Sequence, residues 1–446
     1  MRNIINYIFL FLIPLLGWGQ NQSEAVSLKE AVAFGLENNT KIISANLDVQ
    51  KAYKEKWNTT AMGLPQVDAS VNYQNFIEQP VSLIPAQFFG GKEGEFAEVQ
   101  FGQPQNMAAG INLRQLLFDG SYLVGLRASK VYLEISKNLL DKTVIEVRKN
   151  IVNSYAAVLL VQANIEFLQK NKQNLEQNLE ELTALWKNGF EEEESVEQLR
   201  LTLSGINTQL NYAENIQQIS LDLLKLLLGF PPEKNLVLTD SLEALTQDHL
   251  FFEKEALDGT DNIDIKIAQN NLDSEALLLD LQRSKALPRL AAFINGNYTG
   301  FGQNFEFLNR NQKWFGSSLF GVNLEIPLFS SLGRSALTQK SKISVEQAEI
   351  NLDAVKDRIQ IEIRAAQNDH ELAVKSYFTA KDNLALADRI EQKNKTKFFE
   401  GLATSFELRQ AQLQLYKAQN NYVKAIQTLI DKKINLESLL NTSAVK

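Results

Sequence analysis

The sequence predicts an α+β membrane protein in which transmembrane β-strands continue into a long α-helical coiled coil, and in which this plan occurs twice. Three observations predict this fold class. The 446 residues contain only 9 prolines and 22 glycines, which favours long uninterrupted elements over many short ones. Short segments alternate apolar and polar residues, as two-faced strands do. Several motifs also recur at nearly constant spacing, which indicates an internal duplication.

The composition excludes several classes of protein. The net charge of −8 argues against a nucleic-acid partner, because proteins that bind the phosphate backbone usually carry a basic face. The chain has no cysteine, so it has neither a disulfide framework nor a thiolate metal site. Apolar residues make up 44% and charged residues 22%, and we therefore expect the chain to be ordered nearly throughout.

The N-terminus is typical of a secretory signal peptide, which we predict over residues 1–19. Arg2 supplies the positive charge, residues 4–16 are almost wholly apolar, and Gly17 and Gly19 are small residues suited to cleavage. The alternative is a short membrane anchor, although a spanning helix needs about 20 apolar residues and no later stretch reaches that length. A secreted chain without such a helix is either soluble in the periplasm or inserted in the outer membrane as β-structure.

The duplication divides the chain into two structural repeats, predicted at residues 20–240 and 241–446. Each repeat is expected to contain a helix, a strand, a loop, a strand, a long helix, a tight turn and a long helix. The loop between the strands is 12 residues shorter in the second repeat, because the spacing of matching motifs falls from 223 to 211 residues across it. The matching segments are Leu64–Val67 with Leu287–Leu290, Gly110–Leu113 with Gly321–Leu324, Asn39 with Asn262, and Gly189 with Gly401.

Only four segments, two in each repeat, are predicted to be strands. In Gln66–Tyr73, Val, Ala and Tyr alternate strictly with Gln, Asp, Ser and Asn. A lipid-facing side opposite a water-facing side is expected of a barrel strand, for which about 9 to 11 residues suffice. The alternative is a soluble sheet with its apolar face on a core. Four strands cannot close a water-filled barrel, so their edges would pair with other copies, and three copies would supply a 12-stranded β-barrel. The other strands are Met107–Arg114, Leu290–Asn295 and Val322–Ile326.

The other segments are predicted to be mainly long helices. Apolar residues between Leu140 and Leu182 recur mainly at spacings of three and four, as in a coiled coil. Residues 128–187 contain no glycine or proline, so one helix on the order of 90 Å long is expected. Its partner would cover residues 195–228, and the second repeat would pair residues 334–399 with 405–440. A plain coiled-coil scaffold would show the same pattern.

The motifs at these element boundaries resemble those of the TolC-like outer membrane efflux family, and the resemblance covers essentially the whole chain after the signal peptide. It implies a homotrimer whose 12-stranded β-barrel lies in the outer membrane of a Gram-negative bacterium and continues into an α-helical periplasmic tunnel. The motifs are Ser27–Val32 followed by Leu36–Asn39, Leu113–Gly120 and Leu324–Phe329 at strand-to-helix junctions, and Phe399–Ser405 at a hairpin tip.

By this resemblance, the chain is a passive duct of a tripartite efflux or type I secretion system and not an enzyme. Its tunnel would meet a periplasmic adaptor bound to an inner-membrane pump, which would supply the energy. No cofactor is expected, and the chain has no glycine-rich loop followed by Lys-Ser/Thr that would bind nucleotide. The cargo stays open among drugs, metals and proteins. The alternative function is a periplasmic coiled-coil adaptor or scaffold, which would have the paired helices without lipid-facing strands.

Three residues are predicted to shape the strand-to-helix junctions. Pro327 cannot donate a hydrogen bond to a sheet, so a strand tends to end there. Gly120 and Gly333 would permit the backbone angles needed to turn from a tilted strand into a helix.

The two hairpin tips, residues 186–195 and 398–405, are predicted to face the adaptor. Gly189 and Gly401 would be the turn residues. The first tip is expected to be two residues longer than the second, because Glu197 lies eight residues after its glycine where six are expected. Its run of four glutamates, Glu191–Glu194, would either line the entrance or simply be solvated. The other tip residues expected to face the adaptor are Phe190, Phe399, Leu402 and Ser405.

The resemblance also assigns Glu407, six residues after Gly401, to a periplasmic gate. Three such carboxylates around a narrow axis would favour cations and raise one another's pKa. The alternative is a solvated glutamate on a helix surface. The family pattern places a second acid three residues later, where this chain has Gln410, so a double acidic ring is not expected.

No catalytic or metal site is predicted. The two histidines, His249 and His370, lie far apart along the chain, so neither suggests a metal cluster or a catalytic triad and both are expected to be incidental. The aromatic-rich segment Phe76–Phe101 is expected to be an extracellular loop that narrows the mouth, or else a contact with the membrane interface.

Overall fold

The computed structural model describes residues 24–250 and 259–440, and the predicted signal peptide lies outside them. The predicted plan of paired strands followed by paired long helices, occurring twice, is confirmed. The elements in chain order are β1 (Glu24–Val26), α1 (Leu28–Asn38), α2 (Thr40–Ala61), β2 (Gln66–Asn75), β3 (Val81–Pro85), β4 (Phe96–Gln100), β5 (Gln105–Asp119), α3 (Gly120–Lys187), α4 (Glu193–Leu228), β6 (Leu236–Leu238), α5 (Leu242–Leu250), α6 (Ile263–Ser284), β7 (Arg289–Gly302), β8 (Trp314–Glu325), α7 (Gly333–Phe399) and α8 (Ser405–Leu439).

The described residues form two compact units whose segments alternate along the chain. The strand unit holds residues 46–139 and 264–357, which include the four long strands. The helical unit holds the described residues up to 45, then 140–263, and then 358 onward. The sequence repeats and the compact units are therefore different divisions, because each repeat supplies strands to one unit and a helical hairpin to the other.

The strand unit is built on one antiparallel sheet with strand order β2-β5-β7-β8. A single row of apolar residues crosses all four strands, because Val67 lies opposite Leu113, Leu113 opposite Ile294, and Ile294 opposite Phe320. Directly opposite residues share a face of a sheet. The apolar face predicted from the alternation is therefore confirmed on all four strands.

The expectation of only four strands is wrong, because two short strand pairs also form. β3 and β4 make a separate antiparallel pair inside the segment Phe76–Phe101 that the sequence predicts as a loop. β1 and β6 pair in parallel within the helical unit. These strands have only three or five residues, which is too short for an alternating pattern to be recognised.

The long helices begin and end close to the predicted positions, with one exception. α3 has 68 residues and starts at Gly120, eight residues before the glycine-free stretch from which its start is predicted. Asp119 explains the early start, because its Oδ1 accepts a hydrogen bond from Ser121 N at 2.7 Å. An acidic side chain that satisfies a free amide is a strong helix start, and it outweighs the poor helix propensity of Gly120 and Gly125.

One stretch of α3 corrects the expectation that no later segment is apolar enough to cross a membrane. By length and composition alone, an 18-residue window of this helix passes that test, and half of the window is buried in the structure. Buried α3 residues such as Ile151, Val158 and Leu159 belong to the core of the helical unit. A core helix meets the same criterion, so the window is explained by packing.

The duplication extends to individual contacts. Asn39 donates from Nδ2 to the carbonyl oxygen of Leu227 at 2.7 Å, near the end of α4. Asn262, its counterpart in the second repeat, donates from Nδ2 to the carbonyl oxygen of Leu439 at 2.7 Å, at the end of α8. Both asparagines are buried, with 4% and 2% of their surface exposed. The last carbonyl groups of a helix need such partners, so the same device closes both hairpins.

The core of the helical unit includes a buried polar junction around Tyr155, which has 0% of its surface exposed. Its hydroxyl lies 3.0 Å from Val26 O and 3.0 Å from Asp240 Oδ2. Asp240 Oδ2 also accepts a hydrogen bond from Leu28 N at 2.6 Å. Burial raises the pKa of Tyr155, so the hydroxyl keeps its proton and stays a donor. One side chain of α3 thereby connects the C-terminal ends of β1 and β6.

Tyr155→Phe is expected to lower the free energy of unfolding by about 1–2 kcal/mol, because Val26 O and Asp240 lose a buried hydrogen-bond partner while the ring stays in place. Chemical denaturation of the detergent-solubilised protein would measure the change. Tyr132→Phe is the matched control, since Tyr132 is 49% exposed and should change stability by less than about 0.5 kcal/mol. Equal effects of the two changes would contradict the role of the junction.

Candidate functional site: a two-faced sheet and two hairpin tips

One face of the four-stranded sheet is apolar and exposed on every strand. The exposed fraction is 68% for Val71 and 67% for Phe320, values that a sheet packed on its own core would not show. The same face carries Ile111 on β5 and Tyr298 on β7, which are also exposed. A continuous apolar surface of this kind indicates contact with lipid or another apolar partner.

The opposite face is mainly polar and charged, although β8 also places Leu319 and Phe315 on it. Arg114 lies 3.4 Å from Asp68, and Arg289 lies 3.4 Å from Asp119, with both arginines more than half exposed. Asn112 and Asn295, directly opposite one another, continue this face across β5 and β7. Such a surface suits contact with water.

The two outer strands leave the sheet open. In the part of the chain that the structure describes, β2 pairs with β5 and β8 pairs with β7, so each outer strand has one paired side. These strands have 10 and 12 residues, enough to cross a bilayer. Because free backbone groups cannot be exposed to hydrocarbon, both edges need partners if the sheet lies in a membrane.

The structure corrects the roles predicted for the junction glycines. The strained backbone lies at Ser331 and Leu332, whose φ values are 47° and 64°, while neither Gly120 nor Gly333 has a positive φ. Gly120 instead lies in a tight place, since a Cβ there would lie 2.7 Å from Leu287 Cδ1, the end of a flexible side chain, and 3.1 Å from Ser284 Cβ. β8 ends at Glu325, two residues before Pro327, as expected for a residue that cannot donate to the sheet.

The two hairpin tips have the same turn. Gly189 and Gly401 adopt φ values of 79° and 72°, which confirms them as turn residues. In each tip the next residue closes a bond across the turn, from Phe190 N to Leu185 O at 2.9 Å and from Leu402 N to Lys397 O at 2.7 Å. This is the pattern of a glycine-terminated helix.

The expectation of a longer first tip is wrong. Five residues separate α3 from α4, and five separate α7 from α8. The counterpart of Glu407 in the first tip is therefore Ser195. Glu197 lies two residues further along α4 and does not correspond to Glu407. The longer tip was predicted by matching Glu197 to Glu407. This match is wrong, because the third residue of α8 is a glutamate whereas the third residue of α4 is a serine.

The tips also lie side by side and expose apolar residues. Ser195 Oγ and Ser405 Oγ are 3.0 Å apart, which places the starts of α4 and α8 in contact. Phe190 and Leu402, which occupy equivalent positions, are 78% and 73% exposed, and Phe399 is 36% exposed. Exposed apolar side chains at the end of a hairpin indicate a binding surface when they form a patch.

Glu407 has a local structural role. Its Oε2 accepts hydrogen bonds from Thr404 N at 2.8 Å and Thr404 Oγ1 at 3.1 Å, while Thr404 Oγ1 accepts one from Glu407 N at 3.3 Å. This reciprocal arrangement is a capping box. The backbone hydrogen bond from Thr404 is the main reason that the pKa of Glu407 is lowered. Its assignment to a gate stays a prediction.

The first tip lacks this cap. The residue equivalent to Thr404 is Glu192, which makes no capping hydrogen bond through its side chain among the described residues. Glu193 and Glu194 lie in the first turn of α4, where negative charge is favourable to the helix dipole. The glutamate run thus has a structural explanation, and a role in lining the entrance stays a prediction.

Glu192→Thr combined with Ser195→Glu is expected to create the capping box of the second tip in the first. Amide exchange in the first turn of α4 should slow by about five-fold, which corresponds to the ~1 kcal/mol of a typical N-cap. Hydrogen–deuterium exchange of residues 194–196 would measure it. Glu191→Thr with Ser195→Glu is the control, because position 191 is one residue too early to cap, and slowing in this control would contradict the interpretation.

Folding brings the two histidines together, which corrects the expectation that they lie far apart. His370 Nε2 is 3.1 Å from the carbonyl oxygen of His249, and His249 Nδ1 is 2.7 Å from the carbonyl oxygen of Leu245. Burial is the main cause that lowers the pKa of His249. Among the described residues, no group of three His, Cys, Asp or Glu side chains could hold a metal ion. The pair contributes to packing between α5 and α7.

Sequence reasoning missed four buried amides on α3 and α8, of which one pair is hydrogen-bonded. Asn171 Nδ2 donates to Gln419 Oε1 at 2.7 Å, and Gln419 Nε2 donates to Asn171 Oδ1 at 3.3 Å. Asn178 and Gln412, one heptad along each helix, line a common small cavity and are 1% and 2% exposed. Asparagine and glutamine at seven-residue spacing within an apolar heptad pattern were the available signal.

Comparisons with known proteins agree with this architecture. A family model described as "Outer membrane efflux protein" matches residues 260–442. The outer membrane protein TolC of Vibrio cholerae is 22% identical over 445 residues, which cover 97% of this chain and 94% of that protein.

Three solved structures have a similar fold. CusC has a TM-score of 0.75 and 17% identity, with 96% of this chain and 95% of that chain covered. The CmeC outer membrane channel of Campylobacter jejuni has a TM-score of 0.73 and 17% identity, with coverages of 99% and 93%. VceC of Vibrio cholerae has a TM-score of 0.71 and 15% identity, with coverages of 93% and 95%. With its two-faced sheet and paired long helices, the chain has the fold of an outer-membrane efflux channel, and its residues 260–442 match the outer membrane efflux protein family.

Proposed function

We propose that three copies of this chain close a 12-stranded β-barrel and form a passive duct, through which an inner-membrane pump and a periplasmic adaptor export substrates. The observation that carries this proposal is the four-stranded sheet with one exposed apolar face and two unpaired edges. Closure would place β8 of one copy beside β2 of the next, so that all edges are paired. The exposed apolar face would contact outer-membrane lipid, and the polar face with Arg114 and Asp68 would line the water-filled lumen.

Membrane extraction and channel recording test this assembly. The purified protein should require detergent for release from outer membranes, migrate as a trimer on native gels, and form conducting pores in planar bilayers. Release by carbonate as a monomer would instead support a periplasmic coiled-coil adaptor or scaffold. A detergent-soluble trimer that does not conduct would contradict the duct while leaving the assembly intact.

We infer that the two hairpin tips form the adaptor-binding end of the duct. Phe190 and Leu402 supply exposed apolar contacts at equivalent positions, and Gly189 and Gly401 hold the turns that present them. Phe399 and Ser405 lie on the two sides of the second turn. Cross-linking from cysteines placed at positions 190 and 402 should capture the adaptor in cells. Cysteines at the exposed helix positions Tyr212 and Ile350 are the controls and should not capture it.

Glu407 is proposed to contribute negative charge to the periplasmic gate. Two substitutions separate this role from capping, because glutamine can still accept the Thr404 hydrogen bonds but carries no charge. Glu407→Gln and Glu407→Ala should both reduce cation selectivity in single-channel recordings. If only Glu407→Ala changes the recordings, the side chain acts as a helix cap and the gate assignment fails.

A further inference from the structure

Within one chain, α8 contributes to a shared apolar core with α3 and α4. Buried leucines from all three helices belong to one cluster, among them Leu182, Leu199 and Leu408. The reciprocal bonds between Asn171 and Gln419 lie along this seam, and Asn178 and Gln412, one heptad away on each helix, line one small cavity. Asn178 lies seven residues after Asn171 on α3, and Gln412 lies seven residues before Gln419 on α8. The two helices are therefore antiparallel in a defined register.

Buried amides lower the stability of a helix contact but can specify how the two helices align. Asn178 Nδ2 and Oδ1 and Gln412 Oε1 have no hydrogen-bond partner among the described residues. An unsatisfied buried polar atom costs about 1–3 kcal/mol, which an apolar residue would avoid. A polar residue in a coiled-coil core lowers stability but specifies register. The amides therefore indicate that the alignment of α8 on the first hairpin is under strong constraint.

The second hairpin repeats the first but has an open groove. The offset of 212 residues is constant here, since it relates Lys187 to Phe399 at the helix ends and Gly189 to Gly401 in the turns. The surface between α7 and α8 forms a groove of about 850 Å³, lined by residues that include Ala387, Asn383 and Ile390. Asn383 is the counterpart of Asn171 and is exposed in the single chain.

The helix that corresponds to α8 is α4. Counting back the same 212 residues, Asn207 corresponds to Gln419 and Arg200 to Gln412. Asn207 is half-exposed and Arg200 is exposed, so both are available on the surface of a single chain. The same molecule therefore has an open groove between α7 and α8 and an exposed helix, α4, of the kind that could fill it. Within one chain, α8 packs in the corresponding place on the first hairpin.

We propose that α4 of a second copy fills the groove between α7 and α8, with Asn207 of that copy opposite Asn383. In this arrangement the contact between copies repeats the contact within a copy, and Asn207 and Asn383 take the places of Gln419 and Asn171. Arg200 would lie beside Ile390, so the contact between copies keeps the counterpart of the Asn171–Gln419 pair but has no amides at the positions of Asn178 and Gln412.

This register rests on the proposed assembly of three chains and adds to it the residues that align neighbouring copies. A heterologous contact of this type joins different surfaces of successive copies, and it closes into a ring when the rotation is suitable. The single amide pair would then hold the hairpins of neighbouring copies at the same height, as Asn171 and Gln419 do within one copy.

Cysteine cross-linking in outer membranes tests the register directly, because the natural chain contains no cysteine. Asn207→Cys with Asn383→Cys should form disulfides that shift the protein to twice and three times the monomer mass on non-reducing gels. Asn207→Cys with Ser376→Cys is the matched control. One heptad separates positions 376 and 383, about 10 Å along a helix, which exceeds the reach of a disulfide.

Two further measurements keep the outcomes distinct. Asn171→Cys with Gln419→Cys should cross-link without any change in mass, which confirms that oxidation reaches the helices. The double variant Asn207→Ser with Asn383→Ser should still form the trimer. This result would show that substitutions at positions 207 and 383 do not prevent folding. A trimer on native gels without the 207–383 linkage, or with linkage through position 376, would overturn the register while leaving the proposed duct intact. A monomer on native gels would overturn both.

Discussion

Val71→Arg is expected to abolish the assembled channel in the outer membrane, while Ser70→Arg leaves assembly intact. Val71 lies near the middle of β2 on the exposed apolar face, where an arginine at the bilayer midplane costs about 2–4 kcal/mol in each copy. Ser70 is its chain neighbour and points to the opposite, polar face, where it lies across from Gly110. Trimers that resist dissociation on semi-native gels of outer-membrane fractions provide the measurement.

The paired design separates the lipid face from the lumen face. Ser70→Arg adds a positive charge to the predicted lumen and should reduce cation conductance in recordings of single pores. If Ser70→Arg prevented assembly and Val71→Arg did not, the two faces would be assigned the wrong way round. Equal tolerance of both changes would contradict the insertion of this sheet in a membrane.

Gly229→Ala is expected to destabilise the helical unit by about 2–4 kcal/mol. Gly229 ends α4 with a φ of 79°, and a side chain in this left-handed conformation costs about 1 kcal/mol. A Cβ at this position would also lie 2.6 Å from the backbone oxygen of Asn38, which cannot move aside as a flexible side chain can. Such overpacking adds about 1–3 kcal/mol. The midpoint of chemical denaturation in detergent would record the loss.

Gly189→Ala is the matched control for this change. Gly189 has the same φ of 79°, but no described atom lies within 4 Å of a Cβ built there. The substitution should therefore cost only the backbone term of about 1 kcal/mol. Similar losses for the two variants would show that the contact between Gly229 and Asn38 does not limit the packing of α1 on α4.

Much of the fold follows from local sequence patterns. The alternation in Gln66–Tyr73 predicts a strand with two faces, and the sheet places these residues as expected because the period of a strand is set by its own backbone. Gly189 and Gly401 were recognisable as turns because few other residues adopt a positive φ easily. The order of elements could be predicted from the duplication, since matching motifs imply matching structure.

The candidate site was only partly predictable. The exposed tip residues Phe190 and Leu402 follow from the hairpin prediction, but the equal length of the two tips does not. An acid at position 407 suggested a gate, while its capping box with Thr404 became visible only from the side-chain contacts. The sequence predicts Gly120 as a flexible joint, yet its φ is not positive and Leu287 and Ser284 pack closely around it.

The sequence by itself determined which residues form the four long strands, the long helices and the turns at the hairpin tips, and which side of each long strand is apolar, because these properties depend on neighbours within a few positions. Only the tertiary structure decided which distant residues meet. Asn171 pairs with Gln419, and His249 contacts His370, across separations of 248 and 121 residues. The physical reason is that such contacts depend on the relative register of packed helices, which no local pattern specifies.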